Sequence, residues 1–224
     1  MGSALDAIEE ILNFIQFGML AAVTVLTVKA IYQHRGVRML VLLGGAYACF
    51  LMGDLFITLY YIIIGDWPFV FSVADISYIG MYCFLIVIAL EHIGAWTGEQ
   101  RQTAKHYRYA AIVAPVCVVL SLAACVVFYP DILFACIMYC IPLPFLGYYS
   151  LLAFFVSRKT RDEKPSMYSY HKTVLLFLLI ELVMFMLSSY MYTDIMYLIN
   201  YILDFLIYVP TVMLLPALRK GVGI

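Results

Sequence analysis

Four carboxylic acid side chains lie within long apolar stretches of this sequence, at Asp54, Asp75, Glu181 and Asp204. A charged group in the middle of a membrane-spanning helix costs roughly 2.5 to 3.5 kcal/mol on insertion scales, so such groups usually face the interior of a helix bundle. No lysine or arginine lies inside the same stretches. We therefore expect these acids to be protonated, to accept hydrogen bonds from neutral donors, or to bind a cation.

Tyrosine and amide side chains accompany these acids at helical spacing, because residues three, four or seven apart share a helix face. The ligand-binding residues predicted on this basis are Asp54, Asp75, Tyr78, Tyr82, Glu181, Asn200, Asp204 and Tyr208. Further polar side chains on the same faces are Glu9, Asn13, Gln16, Ser188, Tyr197, Tyr201 and Thr211. Together they predict a polar pocket that opens outward and binds a small cationic or neutral ligand. The alternative is that they only hold the helices together by hydrogen bonds.

Seven apolar segments must position these residues. The chain is 66% hydrophobic and 12% charged, whereas soluble proteins are about 45 to 50% apolar and about 25% charged. A helix needs about 20 apolar residues to cross a membrane. The predicted spans are 9–31, 39–64, 71–94, 109–129, 132–156, 173–190 and 196–218. The predicted fold is a single all-α, seven-transmembrane helix bundle in which spans one, two, three, six and seven wall the pocket.

Basic residues lie on one side of this predicted bundle. All thirteen lysines and arginines fall near the breaks after spans one, three and five, or after the last span. Basic residues mark the cytoplasmic side, so the N-terminus is predicted outside and the C-terminus inside a bacterial inner membrane. The charged connector 157–172 is the expected contact with anionic membrane lipids or with a cytoplasmic or membrane signalling partner.

Other chemistries are not indicated. A retinal protein needs a lysine in its last span, and 196–218 contains none. The six cysteines lie inside spans and are expected to pack as small apolar residues. The histidines fall near the inner ends of spans, as surface or interface residues, at His34, His92, His106 and His171. No catalytic residue, metal, cofactor or nucleic acid is therefore predicted.

Part of the chain, about residues 50–90, resembles a known family. It contains Gly53-Asp54, a short turn at 65–68, and the stretch Ser72-Val-Ala74-Asp75-Ile-Ser-Tyr78. This is similar to the multi-helix N-terminal membrane domains of bacterial diguanylate cyclases and sensor kinases, which carry a Gly-Asp helix and a Pro-Ser-x-Ala-Asp-x-x-Tyr-like helix start. The matching positions are Asp54, Ser72, Ala74, Asp75 and Tyr78, with the proline displaced to Pro68. The resemblance implies a sensing module, without an output domain of its own after the last span.

A small transporter or proton-coupled carrier is the alternative hypothesis. Spans three and seven align without gaps when Asp75 is set on Asp204, and 50–54 aligns with 185–189. An offset of four helices preserves direction, which is typical of a parallel repeat. Helix breaks for gating are expected at Pro142, Pro144, Pro210 and Pro216.

An intramembrane hydrolase is the third hypothesis. Asp54 and Asp75 are expected at similar depth on neighbouring helices, where two carboxyl groups can share a proton and activate water. The chain is also similar to lysoplasmalogenase-type membrane proteins in its length and its early Gly-Asp. That family is expected to have about eight spans and a serine-aspartate where this chain has Ser188-Ser189.

Overall fold

The chain is built from α-helices joined by short turns. In a computed structural model the described residues are 2–65, 68, 71–160, 166–188 and 194–224, apart from the side chains of residues 2–10, 188, 194 and 197. No strand occurs among the described residues. The all-α prediction is therefore confirmed for this part of the chain.

Nine α-helices and one 3-10 turn are present in the described ranges. They are α1 (Gly2–Gln33), α2 (Arg38–Ile64), α3 (Val73–Gly94), α4 (Gly98–Ala111), α5 (Val113–Phe128), a 3-10 turn (Pro130–Ile132), α6 (Leu133–Tyr139), α7 (Pro142–Lys159), α8 (Tyr168–Ser188) and α9 (Asp194–Val222).

Six helical segments of the described chain are long and apolar enough to cross a membrane. They are Ile11–Gln33, Arg38–Ile64, Val73–Gly94, Gly98–Phe128, Tyr168–Leu187 and Leu198–Val222. The pair α6 and α7 passes the same test only as one broken span, with a bend of 46° between its two parts. The described helices therefore provide six crossings, or seven if the bent pair is one crossing.

The fifth predicted span, 132–156, is not a continuous helix. α6 ends at Tyr139 and α7 begins at Pro142. Pro142 has no N–H to donate to the carbonyl of Met138, and its ring clashes with that carbonyl. The expected breaks at Pro210 and Pro216 do not occur, since both lie within the continuous α9.

The fourth predicted span, 109–129, begins earlier than its apolar residues indicate. Thr97 caps α4, because its hydroxyl accepts from the Gln100 N–H and the Gln100 side chain accepts from the Thr97 N–H. α4 leads into α5, and the two form a segment of 31 residues, Gly98–Phe128. The Thr-x-x-Gln pattern of a capping box was the sequence signal for this start.

α3 runs antiparallel to α8. Tyr82 bonds to Glu181, and His92 bonds to His171. Ten residues forward along α3 therefore correspond to ten residues backward along α8. This register separates the two polar contacts by about 15 Å along the helix axes.

Small residues allow α2 and α3 to approach closely. A Cβ atom on Gly45 would lie 2.8 Å from the ring of Phe84, and a Cβ on Gly80 would lie 3.1 Å from the sulfur of Cys49. Both distances are shorter than an ordinary van der Waals contact. Glycine at these positions therefore sets the separation of the two helices.

The described basic residues lie at one end of the helices, called the basic end below. This end contains the end of α1, the start of α2, α4, the end of α7, the start of α8 and the end of α9. Its lysines and arginines are Lys29, Arg35, Arg38, Arg101, Lys105, Arg108, Arg158, Lys159, Lys172, Arg219 and Lys220. Arg161 and Lys164 lie outside the described residues.

Candidate functional site

A cavity of about 250 Å³ lies between α1, α2, α3, α8 and α9. These helices contain the predicted spans one, two, three, six and seven. On α2 and α3, the lining residues lie from the middle of α2 onward and in the first half of α3, away from the basic end. Six of the eight predicted ligand-binding residues line it, and they are Asp54, Tyr78, Tyr82, Glu181, Asp204 and Tyr208. The other lining residues are Asn13, Gln16, Phe50, Ile57, Thr58, Met81, Phe177, Met184 and Ile207.

Asp54 accepts hydrogen bonds from two tyrosines on different helices. The Tyr208 hydroxyl donates to Oδ2 at 2.5 Å, and the Tyr78 hydroxyl donates to Oδ1 at 3.0 Å. Phe50, one turn earlier on α2, contacts both rings, with centroid distances of 5.6 Å to Tyr78 and 5.5 Å to Tyr208. The Asp54 carboxylate is therefore fixed in direction from α3 and α9.

Gly53 explains how Tyr78 reaches this carboxylate. A Cβ atom at position 53 would lie 2.5 Å from Cε1 of Tyr78. The tyrosine ring therefore passes over α2 at a glycine, and its hydroxyl donates a hydrogen bond to the adjacent Asp54. The Gly-Asp pair of the sequence has a direct steric function here.

The other two carboxylates of the cavity also accept from neutral donors. The Tyr82 hydroxyl donates to Oε1 of Glu181 at 2.6 Å, and Nε2 of Gln16 donates to Oδ2 of Asp204 at 2.9 Å. Tyr82 itself is 1% exposed. Each of the three acids is thus held by an uncharged group from another helix.

The three carboxylates come from α2, α8 and α9 and line one cavity. Asp54, Glu181 and Asp204 lie close enough for their charges to interact. None of the described residues that line the cavity is a lysine, an arginine or a histidine. Among the described residues, no three His, Cys, Asp or Glu side chains have an arrangement that would hold a metal ion.

Asp75 was predicted to bind ligand but does not line the cavity. It is the third residue of α3 and completes a capping box, because its Oδ2 accepts from the backbone N–H of Ser72 at 2.7 Å and from the Ser72 hydroxyl at 2.9 Å. Its Oδ1 accepts from the hydroxyl of Tyr139 at 2.8 Å. Asp75 and Asp54 have separate partners, so the structure does not join them as the carboxyl pair that the hydrolase hypothesis requires.

Tyr139 was missed by the sequence analysis, which did not include its span among those that wall the pocket. Tyr139 lies at the end of α6, is 3% exposed, and contacts the ring of Tyr82 with a centroid distance of 6.1 Å. No local pattern marks it, because its partners on α3 are far away along the chain.

Asn200 does not line the cavity either. Its Oδ1 is buried and has no hydrogen-bond partner within the described part of the chain. Thr211 bonds within α9, where its hydroxyl donates to the carbonyl of Ile207. The predicted polar side chains of Glu9, Ser188 and Tyr197 lie outside the described residues.

A second polar cluster occurs at the basic end. Nε2 of His171 and Nδ1 of His92 are 2.9 Å apart, and the edge of Trp96 contacts His92. His171 and Tyr170 are 0% exposed, so the expectation that every histidine is a surface or interface residue is wrong for His171. The buried atoms His171 Nδ1, Tyr170 Oη and Trp96 Nε1 have no hydrogen-bond partner in the described ranges.

Comparison with known proteins found no similar protein. No family model, curated protein or solved structure matches this chain.

Proposed function

We propose that this chain is a membrane-embedded sensing or ligand-binding module whose cavity binds a small organic cation. The observation that carries the proposal is that Asp54, Glu181 and Asp204 line one cavity whose described lining residues include no basic side chain. Tyrosine and glutamine donors orient these acids but supply no positive charge. A bound cation supplies that charge and interacts with all three acids.

The size of this electrostatic effect depends on the surroundings. Two unit charges 4 Å apart interact by about 1 kcal/mol in water and by about 4 kcal/mol at an effective dielectric constant of 20. The cavity lies among apolar helices, so the larger of these two interaction energies is the relevant one. A neutral ligand of the same shape lacks this term, which makes positive charge the main criterion for selection.

The cavity walls favour an ammonium ion that carries an apolar body. Aromatic rings from four helices line the space, and they include Phe50, Tyr82, Phe177 and Tyr208. A cation over an aromatic face gains about 0.5 to 2 kcal/mol. The volume of about 250 Å³ lies just below the roughly 300 to 1,000 Å³ of pockets for drug-sized ligands. A small amine is therefore the ligand class that fits.

The proposal includes the membrane topology. Counting α6 and α7 as one bent crossing gives seven crossings, with the N-terminus outside and the basic end in the cytoplasm of a bacterial inner membrane. The position of the described basic residues supports this orientation. The cavity then faces the outside, and the basic end contacts anionic lipid headgroups or a signalling partner. The likeness of 53–82 to membrane sensor domains supports the sensing role.

A thermal-shift experiment in lipid nanodiscs tests the ligand class. The probes are 2-phenylethylammonium, tetramethylammonium and the uncharged 2-phenylethanol. Binding to the folded state alone raises stability as the ligand concentration exceeds Kd. We expect an ammonium probe to stabilise the wild-type protein and the control Glu99→Gln, whose side chain is exposed on α4, but not Glu181→Gln.

Two results contradict the proposal. One is an equal shift with 2-phenylethanol and with 2-phenylethylammonium, which would show that charge is not selected. The other is the absence of a shift with every ammonium probe in a series from primary to quaternary amines.

Transport of the same cation is the second candidate function. It is favoured by the break between α6 and α7, because Tyr139 at this break contacts the cavity residue Tyr82. Proteoliposome uptake of radiolabelled 2-phenylethylammonium separates the two functions. Uptake that is lost in Glu181→Gln and kept in Glu99→Gln supports a carrier, and binding without uptake supports a sensor.

A further inference from the structure

We propose that Asp75 and Tyr139 are positioning residues for the cavity, which hold Tyr82 and, through it, direct the carboxylate of Glu181. This inference rests on the proposed function and extends it to two residues outside the cavity lining. It also gives a role to Asp75 other than ligand contact.

The first link fixes Asp75. Its Oδ2 accepts two hydrogen bonds from Ser72, one from the backbone N–H and one from the hydroxyl. These bonds tie the carboxylate to the first turn of α3, so its Oδ1 has one fixed direction. That oxygen meets the Tyr139 hydroxyl at 2.8 Å.

The second link fixes the Tyr139 ring. Its hydroxyl is bound to Asp75, and its ring edge contacts Tyr82 on α3 and Phe185 on α8, with centroid distances of 6.1 and 5.1 Å. The ring is 3% exposed. These three contacts, with residues of α3 and α8, therefore fix the position of the Tyr139 ring.

The third link reaches the cavity. Tyr82 lies between Tyr139 and Phe177, with ring centroid distances of 6.1 and 6.3 Å, and donates to Oε1 of Glu181 at 2.6 Å. Glu181 and Phe185 are four residues apart and share a face of α8. Tyr139 therefore contacts Tyr82 directly. It also contacts Phe185, which lies on the same face of α8 as Glu181.

Removal of the Tyr139 hydroxyl breaks this arrangement at one point. In Tyr139→Phe the ring remains but loses its hydrogen bond to Asp75, so its packing against Tyr82 becomes looser. The Glu181 carboxylate then samples directions that do not face a bound ammonium group. We expect affinity for 2-phenylethylammonium to fall about fivefold, which is the factor that a typical net hydrogen bond contributes to an equilibrium.

A double-mutant cycle measures whether Asp75 acts through Tyr139. The variants are Tyr139→Phe, Asp75→Ala and the pair together, with Kd for 2-phenylethylammonium in nanodiscs as the readout. We expect the pair to bind no more weakly than Asp75→Ala alone. Ser72→Ala reports the effect of the helix cap, and Tyr109→Phe is the control tyrosine, since its side chain is 82% exposed. If Asp75→Ala does not fold, Tyr139→Phe alone decides.

A second readout needs no ligand. Dicyclohexylcarbodiimide adds to a carboxylic acid to give an N-acylurea without a leaving group, and mass spectrometry of peptides gives its rate at Glu181. We expect Tyr139→Phe to change this rate at least twofold and Tyr109→Phe to leave it unchanged. A residue that only supports folding would alter the melting temperature without altering the rate in the folded protein.

The outcomes separate the two proposals. Failure of every ammonium probe with the wild-type protein contradicts the proposed function, and the labelling rate still tests the positioning role. Wild-type affinity together with a wild-type labelling rate in Tyr139→Phe overturns the positioning role. Additive losses in the double-mutant cycle overturn the link between Asp75 and Tyr139.

Discussion

Tyr82 and Glu181 are joined by a hydrogen bond of 2.6 Å that crosses from α3 to α8. The tyrosine is buried at the centre of the helices, and the acid faces the cavity. This bond is therefore both a contact between helices and a wall of the candidate site.

Loss of one partner of this hydrogen bond is expected to destabilise the protein. Tyr82→Phe leaves Oε1 of Glu181 without its donor, which should lower the free energy of unfolding by about 1 to 3 kcal/mol. The double variant Tyr82→Phe/Glu181→Leu removes both polar groups and should lose less than the sum of the single variants. Denaturation in mixed micelles measures this, with Tyr109→Phe as the control. Additive losses would argue against a direct bond.

Gly53→Ala is expected to disturb Asp54 through Tyr78. The new methyl group would lie 2.5 Å from Cε1 of Tyr78, so the ring must move and its bond to Asp54 is lost. Overpacking of this kind costs about 1 to 3 kcal/mol. Binding of 2-phenylethylammonium should weaken in parallel.

Gly18→Ala is the matched control for that variant. A Cβ atom at position 18 meets nothing within 4 Å, and alanine is favoured over glycine within helices. Stability should stay the same or rise slightly. If Gly53→Ala and Gly18→Ala behave alike, the steric account of the Gly-Asp pair is wrong.

The histidine pair should show strong coupling in stability. His171→Leu leaves Nδ1 of His92 without its partner, at a cost of about 1 to 3 kcal/mol. Replacing both histidines with leucine removes both polar rings and should cost less than the two single changes together. The exposed His106→Leu is the control. Unfolding in mixed micelles measures all four variants, and simple additivity would speak against a shared hydrogen bond.

Cysteine accessibility tests the proposed topology. In a cysteine-free background, Asp131→Cys should react with an impermeant maleimide in intact cells, because the turn after α5 is proposed to lie outside. Gly98→Cys should react only after the membrane is permeabilised. Position 98 accepts a side chain without contact. The opposite pattern would invert the orientation, and labelling of both in intact cells would refute the number of crossings.

The spacing of polar residues was enough to predict which helices surround the cavity. Helical periodicity places Tyr208 four residues after Asp204 on one face, and both line the same space. This prediction was possible because a stripe of polar side chains on an otherwise apolar membrane helix has few stable positions other than the interior of the helix bundle. The same reasoning misplaced Asp75, since it took no account of the Ser-x-x-Asp capping box that ties the acid to the start of α3.

Contacts between residues that are far apart along the chain could not be predicted from the sequence. Tyr139 is 64 residues from Asp75, and no local period relates them. The alignment of Asp75 with Asp204 also does not imply equal roles, because one caps a helix and the other lines the cavity. Two helices of similar apolar composition can thus place aligned acids in unlike surroundings.

The position of Asp54 along α2 would make the proposed cation binding depend on the membrane voltage. Asp54 lies ten residues before Ile64, the end of α2, which is about 15 Å along the helix axis and half of a hydrocarbon core about 30 Å thick. One elementary charge that crosses the whole membrane potential changes in energy by about 2.3 kcal/mol per 100 mV. A cation that reaches Asp54 from that end crosses about half of the potential, so its affinity should change about sevenfold per 100 mV. Occupancy of the cavity would then follow membrane voltage as well as concentration.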